Sequence, residues 1–217
     1  MKNIIKSIFL KLLRIKLNIE EYKQFLVWQN HYHFEEPFPH FVKKKVFQNY
    51  NSINTIWVET GTYYGDTAKY LSQISKFVYT IEPSTKYFEL AKDKLFNVSN
   101  HKIYNGTSHD YLEIILSEIP EDSTVSFWLD GHWSGGDTYK GDIDTPIEFE
   151  LETISKFLKK FHKTTVLVDD FRLFSNSLNK KEIYPDNSIL INWATKNNLS
   201  WKISRDIFIA YDDIDKK

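Results

Sequence analysis

IWVETGTYYGDT, residues 56–67, is the stretch on which the reading of this chain turns. Its apolar run closes on a carboxylate, Glu59, and passes at once into a turn marked by Gly61 and Gly65. An apolar run ending in an acid returns three times: YTIE ends at Glu82, FWLD at Asp130, and TVLVDD at Asp169 and Asp170. Such runs, separated by helix-length segments, read as buried strands of a parallel sheet. Parallel strands share a direction, so their C-terminal ends lie along one edge, the edge at which open α/β sheets bind ligands.

Outward from that stretch the chain alternates. Strands are expected near 55–59, 77–82, 101–105, 124–130 and 164–169. Helices are expected after the glycine turn to about 74, then over 84–95, 108–118, 145–160 and 187–197, with Ser84 and Thr145 as N-caps and Pro146 in the first helical position. WKIS and IFIAY, on either side of Arg205-Asp206, suggest an antiparallel pair. The predicted fold is α/β: a doubly wound three-layer sandwich around a mostly parallel seven-stranded sheet with an antiparallel C-terminal strand. Residues 1–50 read as a helical lead-in packed on the domain, broken at Glu35-Glu36-Pro37-Phe38-Pro39, and residues 51–217 as a Rossmann-like domain.

With 217 residues the chain can bury a sizeable core, and its 16% aromatic content excludes a disordered body. A net charge of −1 gives no global argument for nucleic acid. The absence of cysteine removes disulfides, thiolate zinc sites and a cysteine nucleophile, and fits a cytoplasmic enzyme. In MKNIIKSIFLKLLRIKL, residues 1–17, Ile5, Ile8, Phe9, Leu12 and Leu13 share a helical face, while four basic residues interrupt any signal-peptide core. Two readings stay open: a helix packed on the domain or on a second copy of the chain, as a homo-oligomer, and a basic amphipathic helix lying on the anionic inner face of a membrane. His31, His33 and His40 read as structural, and Lys43-Lys44-Lys45 as a solvated face.

The turn reads E-x-G-x-x-x-G and lacks the third glycine of a dinucleotide fingerprint; Glu59 beside it would repel a pyrophosphate. Glu82, at the end of the next strand, suits a ribose, because a carboxylate only accepts and a diol has protons to donate. Asp130 and His132 leave the fourth strand two residues apart, and Asp169 and Asp170 end the fifth. Three carboxylates crowded together need a proton or a cation, and oxygen ligands suit Mg²⁺, Mn²⁺ or Ca²⁺. The plain alternative is that the paired aspartates cap a turn.

Taken together, ETGTYYGDT, TIEPS, FWLDGHWSGGDTYKGDIDTP and VLVDDFRLF resemble the S-adenosylmethionine-dependent methyltransferases of the class I Rossmann-like fold. More narrowly they resemble a bacterial group related to macrocin-type sugar O-methyltransferases, over residues 37–175. The resemblance implies that Glu59, Gly61, Thr62 and Gly65 cradle the methionine part of S-adenosyl-L-methionine, that Glu82 takes its ribose, that Ser108 lies near its adenine and that Asp130 borders the cofactor. NGTS, residues 105–108, departs from the group by placing Thr107 where an acid is usual. The resemblance further implies a divalent ion, such as Mg²⁺, on Asp130, Asp169 and Asp170, with Asp130, His132 and Asp169 as the catalytic set and His132 accepting the proton. The expected activity is O-methylation of a sugar or glycoconjugate hydroxyl, with a small-molecule or glycan acceptor and no nucleic acid. Two alternatives remain: a non-catalytic cofactor-binding protein and an NAD-dependent oxidoreductase.

Overall fold

The computed structural model describes residues 17–131, 145–174 and 184–213. Seven strands form one sheet: β1 (Ile56–Thr60), β2 (Phe77–Glu82), β3 (His101–Asn105), β4 (Thr124–Leu129), β5 (Lys163–Val168), β6 (Ser200–Ser204) and β7 (Ile207–Tyr211). Their spatial order is β3-β2-β1-β4-β5-β7-β6. The first five are parallel, and β7 runs antiparallel to both β5 and β6. The expected sandwich with one reversed C-terminal strand is therefore the observed one.

The described helices are α1 (Ile19–His31), α2 (His40–Asn49), α3 (Asp66–Ile74), α4 (Thr85–Leu95), α5 (Ser108–Glu118), α6 (Ile147–Phe157) and α7 (Ser188–Lys196). Helix α6 begins two residues later than Thr145, with Pro146 in the N-cap position, and ends in a 3₁₀ turn over Leu158–Lys160. No helix among the described residues is long and apolar enough to cross a membrane.

Two compact units divide between Lys45 and Val46, inside α2. In the first, Asn18 and Glu21 form a reciprocal capping box at the start of α1. Phe25, Trp28 and Phe41 make its small core, and the Trp28 indole N–H donates to the Glu35 carbonyl at 2.7 Å. The segment 1–17 falls, apart from Leu17, outside the described residues.

In the second unit the central strands are buried on both faces, which explains their near-continuous apolar runs. Side chains alternate across a strand. Val58, Phe127, Val166 and Val168 accordingly join the core beneath α5, α6 and α7, while their neighbours Trp57, Trp128 and Leu167 join the opposite core beneath α3 and the end of α2. The β6–β7 hairpin closes through two residues, Arg205 and Asp206, with φ of 53° and 62°. Left-handed backbone at both positions matches the twist of the flanking strands.

Phe47 is wholly buried, with its ring edge-on to Trp128 at 4.7 Å and to Trp57 at 5.7 Å. Phe47→Ala should cost about 3–5 kcal/mol of unfolding free energy, read as a lowered urea midpoint at unchanged m-value.

Candidate functional site

The turn after β1 crosses the edge of the sheet. Gly61 and Thr62 donate backbone N–H to the Ile81 carbonyl at 3.0 and 3.2 Å, which draws the turn over the end of β2. Gly61 has φ +85°, and a Cβ there would lie 2.4 Å from the Asp130 carbonyl oxygen. Only glycine fits both the backbone and the contact. Gly65, φ +76°, precedes α3, and a Cβ on it would meet the Ala91 Cβ of α4 at 3.2 Å. This second glycine serves helix–helix packing.

The turn also fixes Glu82. Tyr63, held at φ 50°, donates its N–H to Glu82 Oε2 at 2.7 Å, and Ser84 donates its N–H to Oε1 at 2.9 Å. Ser84, expected as a side-chain cap of α4, sits in the N-cap position but makes no side-chain cap bond. Burial raises the Glu82 pKa against the opposing pull of those two N–H groups. Each carboxylate oxygen keeps a second lone pair, so a diol can still donate to it.

Glu59 lies deeper, with 0% exposure. Thr80 Oγ1 donates to its Oε2 at 2.5 Å, and Oε1 has no hydrogen-bond partner among the described residues. Burial pushes its pKa up to about 8, the Thr80 hydroxyl opposes that shift, and the Asp130 and Glu82 carboxylates add to it. Glu59, Glu82 and Asp130 thus share one electrostatic neighbourhood at the C-terminal edge of the sheet.

Ser108 opens α5 just beyond β3, and its buried hydroxyl is likewise without a partner among the described residues. Thr107 has a local task in place of an acid. Its N–H and hydroxyl both donate to Asp110 Oδ2, at 2.8 and 2.7 Å, and cap the helix. His109 stacks on Phe149 of α6, with ring centroids 3.8 Å apart.

On the other side of the turn, Asp130 and Asp169 follow the ends of β4 and β5, tied by Asp130 N–H to the Thr60 carbonyl and Asp169 N–H to the Leu129 carbonyl, both 3.1 Å. A cavity of about 10 Å³ lies there, bounded by Gly131, Thr145, Glu150, Asp169, Phe174 and Tyr184 among others. That is room for about one water-sized group. Glu150, 1% exposed, was not among the residues expected from sequence. A signal existed: Ile147, Glu150, Leu151 and Ile154 share the buried face of α6, and an acid on an apolar face is the exception that points to a site.

The three aspartates of the expected ion site have different surroundings. Asp170 has φ 52° and its Oδ1 accepts from Arg172 Nη1 at 2.7 Å, while Arg172 also binds Asp206 in the β6–β7 turn. The aspartate pair is thus divided: Asp169 borders the cavity and Asp170 belongs to an ionic cluster. No group of three His, Cys, Asp or Glu that could hold a metal ion occurs among the described residues, and the Asp170 carboxylate is engaged with Arg172. His132, the expected base, lies outside the described residues.

Because the folded chain holds the Glu59 proton more tightly than the unfolded chain, the stability that Glu59 contributes is fullest below about pH 4.5 and is lost as pH rises to about 8. Glu59→Gln cannot ionise, and melting temperatures followed from about pH 5 to pH 9 should fall less steeply in this variant than in the parent chain.

No protein-family model matches the chain, and no curated protein matches it by sequence. Solved structures do share its fold. A precorrin-6y C5,15-methyltransferase from Geobacter metallireducens superposes with a TM-score of 0.52 at 10% identity, covering 81% of this chain and 89% of its own. An rRNA methylase from Streptococcus thermophilus superposes with a TM-score of 0.50 at 12% identity, covering 81% of this chain and 96% of its own. At such identities the likeness establishes architecture, and the architecture of this chain is the Rossmann-like fold found in class I methyltransferases.

Proposed function

We propose that this protein is an S-adenosylmethionine-dependent methyltransferase acting on a hydroxyl of a small polar acceptor, a sugar or glycoconjugate. The observation that carries the donor half is Glu59: a fully buried carboxylate, beneath a glycine turn, with one oxygen that has no partner among the described residues. A buried carboxylate of this kind calls for a cationic or strongly donating ligand. S-adenosylmethionine has such groups, whereas the pyrophosphate of NAD would meet a repelling acid and a turn with no third glycine.

The chain's own residues divide the task. Glu59 and Thr62 accept hydrogen bonds from the ammonium end of the donor, Glu82 accepts from its ribose hydroxyls, and the free Ser108 hydroxyl faces the adenine. The resemblance assigns these places, and the unpartnered oxygens of Glu59 and Ser108 fit the assignment. When bound, the cofactor supplies a methyl group activated on a sulfonium. Asp130 and Asp169 accept from the acceptor hydroxyl and hold it beside the donor, since positioning contributes much of the rate in such a transfer. His132 takes the proton as general base.

The two similar structures bear different acceptors in their names, rRNA and a precorrin, so the acceptor class rests on this chain's own acids. Carboxylates at the ends of β4 and β5, in a chain of net charge −1, favour a hydroxyl-rich acceptor over a polyanion.

Calorimetry should show binding of S-adenosylhomocysteine and none of NAD, with the same affinity in Mg²⁺ and in EDTA. Asp130→Ala and Asp169→Ala should abolish transfer of labelled methyl groups to nucleotide sugars while changing S-adenosylhomocysteine affinity by less than about threefold, or ~0.7 kcal/mol. Binding of NAD in place of S-adenosylhomocysteine overturns the proposal.

A further inference from the structure

Thr80 is a polar residue at the centre of β2, at a position with 0% exposure. A hydroxyl in such a place is costly unless it is hydrogen-bonded. The parallel register sets Thr80 directly beside Glu59 on β1. Its Oγ1 donates to Glu59 Oε2 at 2.5 Å, and the same Oγ1 lies 2.5 Å from Thr62 Oγ1 in the glycine turn.

Opposite a bound cation Glu59 is ionised, and counting protons then fixes the direction of this chain of hydroxyls. A threonine hydroxyl carries one proton. Thr80 spends its proton on Glu59, so in the contact with Thr62 it must accept, and Thr62 must donate. The chain runs Thr62 to Thr80 to Glu59. Two sets of lone pairs are then left over: those on Thr62 Oγ1 and those on Glu59 Oε1, which has no partner among the described residues. Both are acceptors. A group with several donors and no acceptor satisfies them, and a primary ammonium, with three N–H donors, is such a group. A carboxylate or phosphate meets only oxygen lone pairs and is turned away.

We propose that Thr80 is a positioning residue of the donor site: by fixing the polarity of the Thr62–Thr80–Glu59 chain it makes the glycine turn an acceptor-only receptor for the ammonium of the donor's amino-acid end. The inference rests on the donor reading given under the proposed function and adds a residue that does not itself touch the ligand. It also gives Glu59 a reason to be held still. With Oε2 committed to Thr80, Oε1 keeps one orientation, and the ligand need not order the carboxylate as it binds.

Two ligands separate this role from simple core packing. S-adenosylhomocysteine carries the amino-acid end, and 5′-methylthioadenosine is the same thionucleoside without it. Thr80→Val keeps the shape of the side chain and removes the hydroxyl. Equilibrium binding should show S-adenosylhomocysteine weakened about tenfold to a hundredfold, the worth of a hydrogen bond to a charged group. Affinity for 5′-methylthioadenosine should stay within about twofold, and Thr80→Ser should restore the parent value for both. Thr62→Val cuts the same chain at its outer end and should give the same selective loss, which keeps the test open if Thr80→Val does not fold. Equal weakening of both ligands, or no weakening of either, overturns the role of Thr80. A parent chain that binds neither ligand overturns the donor reading itself.

Discussion

Burying a carboxylate is costly unless it is hydrogen-bonded or neutralised, and the arrangement around Glu59 can be understood as the answer to that cost. The glycine turn closes over Glu59 only because Gly61 passes against the Asp130 carbonyl. The hydroxyl of Thr80, brought alongside by the parallel register, satisfies one oxygen. The other oxygen has no partner among the described residues. Burial pushes the Glu59 pKa up to about 8, and the Asp130 and Glu82 carboxylates add to that shift. The turn, the register and the strand ends are coupled parts of one solution.

The end of β5 is organised by a different device. Arg172 binds both Asp170 and Asp206, and the Phe171 and Arg172 N–H groups each donate to Asp206 at 2.8 Å. The 3₁₀ turn over Phe171–Phe174, after β5, is thereby fastened to the β6–β7 hairpin. Asp170 is drawn into that cluster through a left-handed backbone, and Asp169 is left to border the small cavity with Glu150. Adjacent aspartates at one strand end have acquired separate tasks, one structural and one facing the site. The reversed strand β7 supports the site from a distance: its hairpin carries the carboxylate that holds the guanidinium in place.

Much of this was legible in the chain. The four acid-terminated runs became β1, β2, β4 and β5, and the two-residue break at Arg205-Asp206 became a hairpin. Glu59, Glu82, Asp130 and Asp169 do lie along one edge. What went unread was polar and buried: Glu150 on the apolar face of α6, and Thr80 inside β2. Thr107 was legible as a departure from an expected acid, but its use as a helix cap with Asp110 became clear only in three dimensions. The pairing of Asp170 with Arg172 and Asp206 was also out of reach, because Arg172 and Asp206 lie 34 residues apart in the chain.

The strands, their shared direction and the reversal at the end could be read from the chain. Those follow from local alternation, turn residues and the length of the crossovers, all of which act over a few neighbouring residues. Only the tertiary structure decided which oxygen of each buried acid is spoken for, that Asp170 turns away from the site, and that Thr80 stands behind Glu59. The partner of a buried polar atom is set by register between strands and by packing of helices distant along the chain, and a one-dimensional pattern records that an atom is buried without recording what it meets.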